Sequence, residues 1–336
     1  MADVVLQGIR KTFATSNAVA SLNLDIEDGS FVVLLGPTGA GKTTTLRLIA
    51  GLEQPDAGDI RIAGQSVIGR TPAQRDVAMV FQQYSLYPHM SVKDNLAFPL
   101  RSPILNTPED EIQRKVREIA EVLHISHKLD NRATALSGGE MQRVSIGRAL
   151  VRNPSIYLMD EPLSSLDAKL RADLRLELKR IHAQLGATLL YVTHDQIEAM
   201  TMATKIGVLN QGHLVQFGTP REIYEDPVSL YVAGRLGLPR INVLPADLFS
   251  GAPEGAATIG LRPEHIRLGA GQPASVMRIE HLGDQTRLHL SLNGHDIVTL
   301  ADSQTQLATG DLVKIKPRSA LYFDADGNRI KRGRKP

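Results

Sequence analysis

A glycine-rich loop directly after an apolar run is the feature that most constrains how this chain can fold. The apolar run is Phe31–Leu35, and the loop Gly36-Pro37-Thr38-Gly39-Ala40-Gly41-Lys42-Thr43 follows it with the spacing G-x-x-x-x-G-K-T. This pattern requires a buried strand that enters a tight loop and then a helix, which we expect to begin at Thr44. The sequence therefore predicts a strand–loop–helix unit within an α/β domain.

The loop is suited to binding phosphate groups. Its glycines let backbone N–H groups converge on phosphate oxygens, where a side chain would block the approach. The following helix directs the positive end of its dipole at the same anion. Lys42 can reach the β- and γ-phosphates, and the Thr43 hydroxyl can complete the shell of a magnesium ion. A glycine turn beside an ordinary surface lysine would not explain strand, loop and helix together, so we predict a nucleoside triphosphate site.

The composition limits the class of protein. The 336 residues are enough for two domains, and the absence of Cys excludes disulfides and thiolate zinc sites. No apolar stretch approaches the roughly 18 residues of a membrane span, and the N-terminal residues lack the pattern of a secretory signal. The net charge of +2 does not point to nucleic acid. A basic cluster at Arg329–Lys335 is typical of a disordered tail and is assigned no function.

Apolar periodicity indicates further elements of an α/β fold. Helical spacing of apolar residues predicts helices over about 107–124 and over Ala168–Gly186. Buried strands are predicted at Ser155–Met159 and Ala187–Val192, and each is followed by polar or charged residues. In an open α/β sheet, ligands bind at that end of the strands.

The pattern changes after about Arg235. Arg287–Leu292 and Leu312–Lys316 alternate with a period of two, and turn residues separate the runs. We therefore predict a first domain over residues 1–234 and a small all-β barrel over residues 235–336.

Polar residues after the predicted strands are candidates for catalysis. Asp160 and Glu161 are adjacent, and successive strand residues face opposite ways, so one can hold Mg²⁺ while the other polarises an attacking water. His194 follows the next strand and can donate a hydrogen bond to the γ-phosphate, although a lone His is more often structural. Gln82 follows another short apolar run and can orient water or Mg²⁺, a weak signal by itself.

A second anion-binding segment is predicted at Leu136–Glu140. Ser137 favours a helix cap, Gly138 and Gly139 expose backbone N–H groups, and we expect a helix over Met141–Val151. A helix cap after a turn is the simpler interpretation of such a segment. A second phosphate clamp makes sense if two chains share each nucleotide.

Six motifs in order resemble those of the ATP-binding cassette (ABC) ATPases: Gly36–Thr43, Gln82, Leu136–Glu140, Tyr157–Pro162, Ser164–Asp167 and His194. The resemblance implies a P-loop NTPase with a RecA-like core and a helical subdomain at about 85–150, followed by an OB-like barrel of the TOBE type. It also implies a head-to-tail homodimer that encloses two ATP molecules, each with Mg²⁺.

The resemblance also implies roles for individual residues. Lys42, Thr43 and Thr44 of one chain would face Ser137, Gly138 and Gly139 of the other, with Asp167 as a contact across the dimer. The remaining roles are Glu161 as general base, His194 as the switch histidine, Gln82 as a catalytic and magnesium-binding residue, Asp160 and Thr43 as magnesium ligands, and Phe13 as the aromatic that stacks on adenine.

Segments beyond these motifs resemble the ATPases of importers for maltose and related carbohydrates. They are Phe217–Pro227, Val232–Asn242 and Ile259–His265. This implies two integral-membrane permease subunits, an extracytoplasmic solute-binding protein as an indirect partner, a peripheral position at the cytoplasmic face of the plasma membrane, and no nucleic acid partner. Polyamine and iron importers share a similar architecture and stay open as alternatives, as does a non-transport ABC ATPase.

The sequence departs from the usual motifs of that family in two places. Glu140 and Met141 stand in the signature segment where glutamines are common, and Ala40 stands in the loop where serine is common. All three leave the phosphate-binding backbone intact, so we expect ATPase activity.

Overall fold

The computed structural model describes residues 2–14, 16–103 and 105–331. Within them the chain forms two compact units, of which the first ends at Pro220 and the second begins at Arg221. No helix in the described ranges is both long enough and apolar enough to cross a membrane.

The first unit is an α/β structure with two sheets. Its elements are β1 Val4–Phe13, β2 Ser16–Ile26, β3 Phe31–Leu35, α1 Lys42–Ala50, β4 Ala57–Ile62, β5 Gln65–Ser66, β6 Val77–Val80, α2 Val92–Ala97, α3 Glu109–Val122, α4 Gly138–Leu150, β7 Ile156–Asp160, α5 Ala168–Leu185, β8 Leu189–Thr193, α6 Gln196–Met202, β9 Lys205–Asn210 and β10 His213–Gly218. The predicted strands and helices of this part are all present, with ends shifted by a few residues.

The larger sheet has the order β10-β9-β3-β8-β7-β6, and all its neighbours pair in parallel except β9 and β10. Every residue of β3, β7 and β8 is buried, as expected for strands covered on both faces. The second sheet, β2-β1-β4-β5, is antiparallel. Side chains of β1 and β2 share one apolar core with those of β3 and α1.

The helix after the second predicted anion site starts earlier than expected. We predicted its first residue at Met141, whereas α4 begins at Gly138. Ser137 and Glu140 form a capping box, in which Glu140 N–H donates to Ser137 Oγ and Ser137 N–H donates to Glu140 Oε2 at 2.8 Å. Because this box closes the first turn, both glycines lie inside the helix.

A buried arginine caps the C-terminal end of α1. Arg75 is 2% exposed, and its Nη1 donates to the carbonyls of Leu48 at 2.7 Å and Ile49 at 3.1 Å. These carbonyls belong to the last turn, where helix oxygens lack partners and the dipole is negative. The helix ends at Gly51, where a Cβ would lie 2.5 Å from Arg75 Nε. Arg75 thus fixes the far end of the helix that begins at the P-loop (Gly36–Thr43).

The second unit is mainly antiparallel β-structure. Its elements are α7 Pro220–Glu225, which starts at the last residue of the first unit, α8 Leu230–Ala233, β11 Asn242–Pro245, β12 Thr258–Leu261, β13 Ile266–His281, β14 Gln285–Leu292, β15 His295–Asp302, β16 Leu312–Pro317, β17 Leu321–Phe323 and β18 Arg329–Ile330. They form the sheets β11-β12-β17-β18 and β15-β14-β13-β16, whose inner faces share a core.

The predicted domain boundary after residue 234 falls inside this unit. Leu230 and Ala233 of α8 pack with Ile241, Leu321 and Phe323 in a small apolar cluster of the second unit. Residues 1–234 as one functional domain therefore stay a prediction. The first residues of the basic tail form β18, and residues 332–336 lie outside the described residues.

Replacing Arg75 by Met should lower the free energy of unfolding by about 2 kcal/mol, because the carbonyls of Leu48 and Ile49 would lose the hydrogen bonds from the buried guanidinium. Urea titration of the full chain, followed by far-UV circular dichroism, measures this change. Arg61→Met is the matched control, since Arg61 forms only an exposed ion pair with Asp59, and it should cost less than about 0.5 kcal/mol. Equal losses in both variants would contradict the capping role.

Candidate nucleotide-binding site

Three neighbouring strands of the large sheet end at the same edge. Leu35 of β3 lies opposite Thr193 of β8, and Val192 of β8 lies opposite Asp160 of β7. The carboxyl ends of parallel strands are where α/β sheets bind ligands. The sheet order therefore brings together the P-loop, Glu161 and His194, each of which directly follows one of these strands.

The last glycine of the P-loop, Gly41, cannot be replaced by another residue without strain. Gly41 precedes α1 with a φ of 99°, and a Cβ there would lie 2.4 Å from the carbonyl oxygen of Ala18. The left-handed backbone and the close approach to β2 both require the missing side chain. Ala40 beside it is buried in the apolar core, so a small apolar residue suits this position.

Lys42 places a positive charge in the floor of the site. Its side chain is 5% exposed, and Nζ donates to the carbonyls of Gly36 at 2.9 Å and Pro37 at 3.0 Å. Nζ also lies 3.7 Å from Glu161 Oε1. The ammonium is thus held beside the loop whose N–H groups are predicted to bind phosphate.

The next residue connects the loop to the carboxylate of β7. Thr43 Oγ1 donates to Asp160 Oδ1 at 2.8 Å. Burial raises the pKa of Asp160, and the hydrogen bond from Thr43 opposes this effect. A divalent cation at this point would stabilise the ionised carboxylate.

The oxygen atoms of Asp160, Thr43 and Gln82 are suitable ligands for a magnesium ion. Asp160 and the Thr43 hydroxyl are in contact, and Gln82 lines the same cleft. The described residues contain no group of three or more His, Cys, Asp or Glu that could form a complete cage. Mg²⁺ needs no such cage, since it is usually bound by one or two carboxylates together with substrate phosphates and water.

Glu161 lies between a lysine and a histidine. Its Oε2 is 3.0 Å from His194 Nδ1, and its Oε1 faces Lys42. The Glu161 backbone has a φ of 44°, unusual for a residue with a side chain, and its N–H donates to Val192 O at 3.0 Å. Its carboxylate is 16% exposed, whereas the His194 side chain is 62% exposed. A carboxylate held in this way at a cleft can orient a water molecule and accept its proton.

The cleft has a volume of about 440 Å³. It is lined by Ser16, Asn17, Ala18, Thr38, Gly39, Gly41, Lys42, Thr43, Thr44, Gln82 and Glu161. Most of these residues were predicted from the sequence, but Ser16, Asn17 and Ala18 were missed. They begin β2 in the other sheet, and no motif marks them; only the register of the β1–β2 hairpin reveals their position.

Phe13 lies at the end of β1 near this cleft. It pairs with Ser16 in the hairpin, its ring is 40% exposed, and Lys11 Nζ lies 5.1 Å from the ring centroid. A partly exposed ring beside a cleft residue is compatible with stacking on a base. The predicted contact with adenine stays a prediction.

The signature segment (Leu136–Glu140) and the D-loop (Ser164–Asp167) do not line this cleft. Ser137 caps α4, and Asp167 caps α5 by accepting a hydrogen bond from Leu170 N–H at 3.0 Å. A methyl group on Gly139 would lie 2.1 Å from Leu170 Cδ2, so the signature segment contacts the start of α5. Ser137, Gly138, Gly139 and Asp167 are absent from the described residues that line the cleft. Their contacts with nucleotide stay a prediction.

A buried hydrogen-bond network lies behind His194. Glu198 Oε2 accepts hydrogen bonds from Tyr191 Oη at 2.9 Å and Thr193 Oγ1 at 2.6 Å, and Asp195 N–H donates to Thr193 Oγ1. Glu198 is 3% exposed, and burial raises the pKa of its carboxyl. Glu198 could not be predicted from the sequence, since a single Glu in a helix carries no signal that it is buried. The network fixes both ends of the turn that carries His194.

Glu198→Gln should make the stability of the protein less dependent on pH. Because burial raises the pKa of Glu198 above its unfolded value, the folded chain binds more protons between these two pKa values, and stability falls as the pH rises through this interval. Gln keeps an oxygen that can accept both hydroxyl hydrogen bonds and does not titrate. The melting temperature of the variant relative to wild type should therefore rise from about pH 5 to about pH 8. A constant difference across this range would contradict the effect.

Comparison with known proteins gives matches in both units. The sequence model of the family described as ABC transporter matches residues 19–164. That of the TOBE domain matches residues 259–326.

Several relatives match nearly the full chain. The sn-glycerol-3-phosphate import ATP-binding protein UgpC of Ruegeria pomeroyi is 46% identical over 98% of this chain and 99% of its own length. The lactose transport ATP-binding protein LacK of Rhizobium radiobacter is 41% identical over 98% of this chain and 100% of its own length. The dimeric, post-hydrolysis structure of the ATP-binding cassette MJ0796 bound to ADP and Pi has a TM-score of 0.59 at 30% identity, over 65% of this chain and 99% of that one.

Proposed function

This chain belongs to the ABC transporter family, and from that premise we propose that it is the ATP-hydrolysing subunit of an importer for a carbohydrate-type solute. The observation that carries the proposal is the grouping of Lys42, the Thr43–Asp160 pair and the Glu161–His194 pair at one sheet edge. The family resemblance predicted from the motifs is confirmed by the matches to nearly full-length relatives.

We propose that the site hydrolyses the bond between the β- and γ-phosphates of ATP. The P-loop N–H groups and Lys42 bind the phosphates. Thr43 and Asp160 would hold Mg²⁺, which would supply positive charge to the phosphate oxygens. Glu161 orients the attacking water and accepts its proton. His194, hydrogen-bonded to Glu161, contacts the γ-phosphate, and Gln82 reaches the same region from the side of the cleft.

We also propose that two copies of the chain share each nucleotide. The signature residues lie at the N-terminal end of α4, where the first N–H groups of a helix and its dipole favour an anion, yet they do not line the cleft at the P-loop of their own chain. In a head-to-tail dimer, Ser137 and Gly139 of one chain would face the γ-phosphate held by the other. Charge-assisted hydrogen bonds made only in the closed dimer would shift the population towards closure, and hydrolysis would reverse it.

The permease subunits would bind in a groove next to Gln82. The groove has a volume of about 170 Å³ and is lined by Val77, Ala78, Met79, Phe81, Tyr84, Ser85, Pro99, Ser145, Arg148, Ala149 and Arg152. Phe81 is 38% exposed at its edge, directly before Gln82 in the chain. A permease helix placed here would contact both β6 and α4. Binding to the permease helix would hold the protein at the cytoplasmic face of the membrane as a peripheral subunit.

The class of solute follows from the relatives. Their names describe import of sn-glycerol-3-phosphate and transport of lactose, a sugar-alcohol phosphate and a sugar. Polyamine and iron importers, which the sequence left open, are not favoured by these matches. The permeases and a solute-binding protein would select the individual solute, because the ATPase does not contact it.

The first test is ATP hydrolysis by this chain assembled with its permeases in lipid vesicles, in the presence of the solute-binding protein. We expect one solute from a panel of sugars, sugar alcohols and sugar phosphates to raise turnover severalfold, because solute loading favours closure of the ATPase dimer. Polyamines and iron chelates form the matched negative panel. Stimulation by one of these instead would overturn the carbohydrate class but leave the importer assignment.

Glu161→Gln should trap an ATP-bound dimer and lower turnover by about 10² to 10⁴, the usual contribution of a general base. Size-exclusion chromatography with ATP and Mg²⁺ measures the dimer, and phosphate release measures turnover. Glu177→Gln, at a residue of α5 that does not line the cleft, is the control and should hydrolyse ATP normally. Wild-type turnover in the Glu161 variant would exclude it as the catalytic base.

A further inference from the structure

Two segments of the chain flank Glu161 at the catalytic edge. One is the D-loop (Ser164–Asp167), which follows Glu161 and leads into α5. The other is the switch turn (Thr193–Gln196), which carries His194 and leads into α6. The D-loop is predicted to contact the second chain, whereas His194 contacts Glu161 of its own chain. A physical link between these segments would connect dimer formation to the catalytic geometry.

Arg171, in the first turn of α5, makes such a link. Its Nη2 donates to the carbonyl of Leu166, within the D-loop, at 2.8 Å. Its Nη1 lies 3.6 Å from Asp195 Oδ2, within the switch turn. The side chain is only 30% exposed, so the solvent weakens these interactions less than at a free surface.

Both ends of this link are tied to their own segment by hydrogen bonds. Leu166 is 6% exposed and its N–H donates to Leu163 O at 3.3 Å, so the carbonyl that Arg171 contacts moves together with the D-loop. Asp195 caps α6, since its Oδ1 accepts a hydrogen bond from Ile197 N–H at 2.7 Å. A displacement of Leu166 would therefore be transmitted through the guanidinium to the residue next to His194.

We infer that Arg171 is a positioning residue that couples the D-loop to the switch turn, so that docking of the second chain on the D-loop sets the position of His194 beside Glu161. The inference rests on the proposed function, because it assumes that Glu161 and His194 take part in hydrolysis. It adds a residue that does not line the nucleotide cleft.

The geometry requires arginine at this position. A guanidinium presents several N–H donors in a fixed plane and can contact a carbonyl and a carboxylate at once. Lysine would keep the charge but holds it on a single nitrogen, so it can satisfy one partner well and not both. Methionine would keep most of the packing of the side chain and remove both contacts.

The test compares turnover of Arg171→Met in two backgrounds of the full chain assembled with its permeases. In the wild-type background, kcat should fall roughly tenfold, in line with the cost of sub-ångström misplacement of a catalytic group, while the KM for ATP stays within about twofold. In a His194→Ala background, the same substitution should cause no further loss, because the residue it positions is absent. Arg171→Lys should recover part of the lost turnover.

Two further variants separate positioning from folding. Asp195→Asn removes the charge that Arg171 contacts but keeps an oxygen that can cap α6, so it should lower kcat without lowering the melting temperature appreciably. Arg180→Met removes an exposed arginine from the same helix and should leave kcat unchanged. Dimer formation with ATP should persist in Glu161→Gln/Arg171→Met.

Each failure has a distinct meaning. If Arg171→Met lowers kcat by the same factor with and without His194, or leaves kcat unchanged, the coupling through Arg171 is wrong. If the double variant with Glu161→Gln no longer forms an ATP-bound dimer, Arg171 acts on dimer formation and not on the switch turn, which also overturns the inference. If His194→Ala and Glu161→Gln alone hydrolyse ATP normally, the proposed catalytic site itself fails.

Discussion

The parallel pairing of β3, β8 and β7 is the constraint on which the site depends. Since the carboxyl ends of these strands share one edge, residues that are 117 and 33 positions apart in sequence meet as the Thr43–Asp160 and Glu161–His194 pairs, respectively. The strands are fully buried, so a slip in their register would disrupt the packing of side chains on both faces of the sheet. The helices α1, α5 and α6 directly follow the P-loop, the D-loop and the switch turn, and so hold one end of each.

The motifs predicted this site because each one combines a residue type with a required local structure. A P-loop needs a strand before it and a helix after it, and both are visible as apolar patterns in the sequence. The short range of these patterns is also their limit. The placement of β8 between β3 and β7, the proximity of β2 to the P-loop and the burial of Arg75 and Glu198 result from tertiary packing, which single-chain periodicity does not record.

The helix boundary at Gly138 illustrates the same limit at smaller scale. Two consecutive glycines usually indicate irregular backbone, because glycine lowers helix stability. Here the reciprocal hydrogen bonds between Ser137 and Glu140 outweigh that propensity. The capping box of Ser137 and Glu140 spans four residues and could have been predicted from the sequence. The two glycines between them favoured a later start of the helix instead.

The start of α4 at Gly138 has a consequence for the thermodynamics of the proposed closure of two chains on nucleotide. Because Gly138 and Gly139 are already helical, their N–H groups point along the helix axis before any phosphate arrives. A flexible glycine loop would lose conformational entropy on ordering around an anion, whereas a preformed helix end loses little. In the proposed head-to-tail dimer, more of the free energy of a phosphate contact would then be available to hold the two chains together. Gly139 serves the close packing of this helix end against Leu170 more than flexibility.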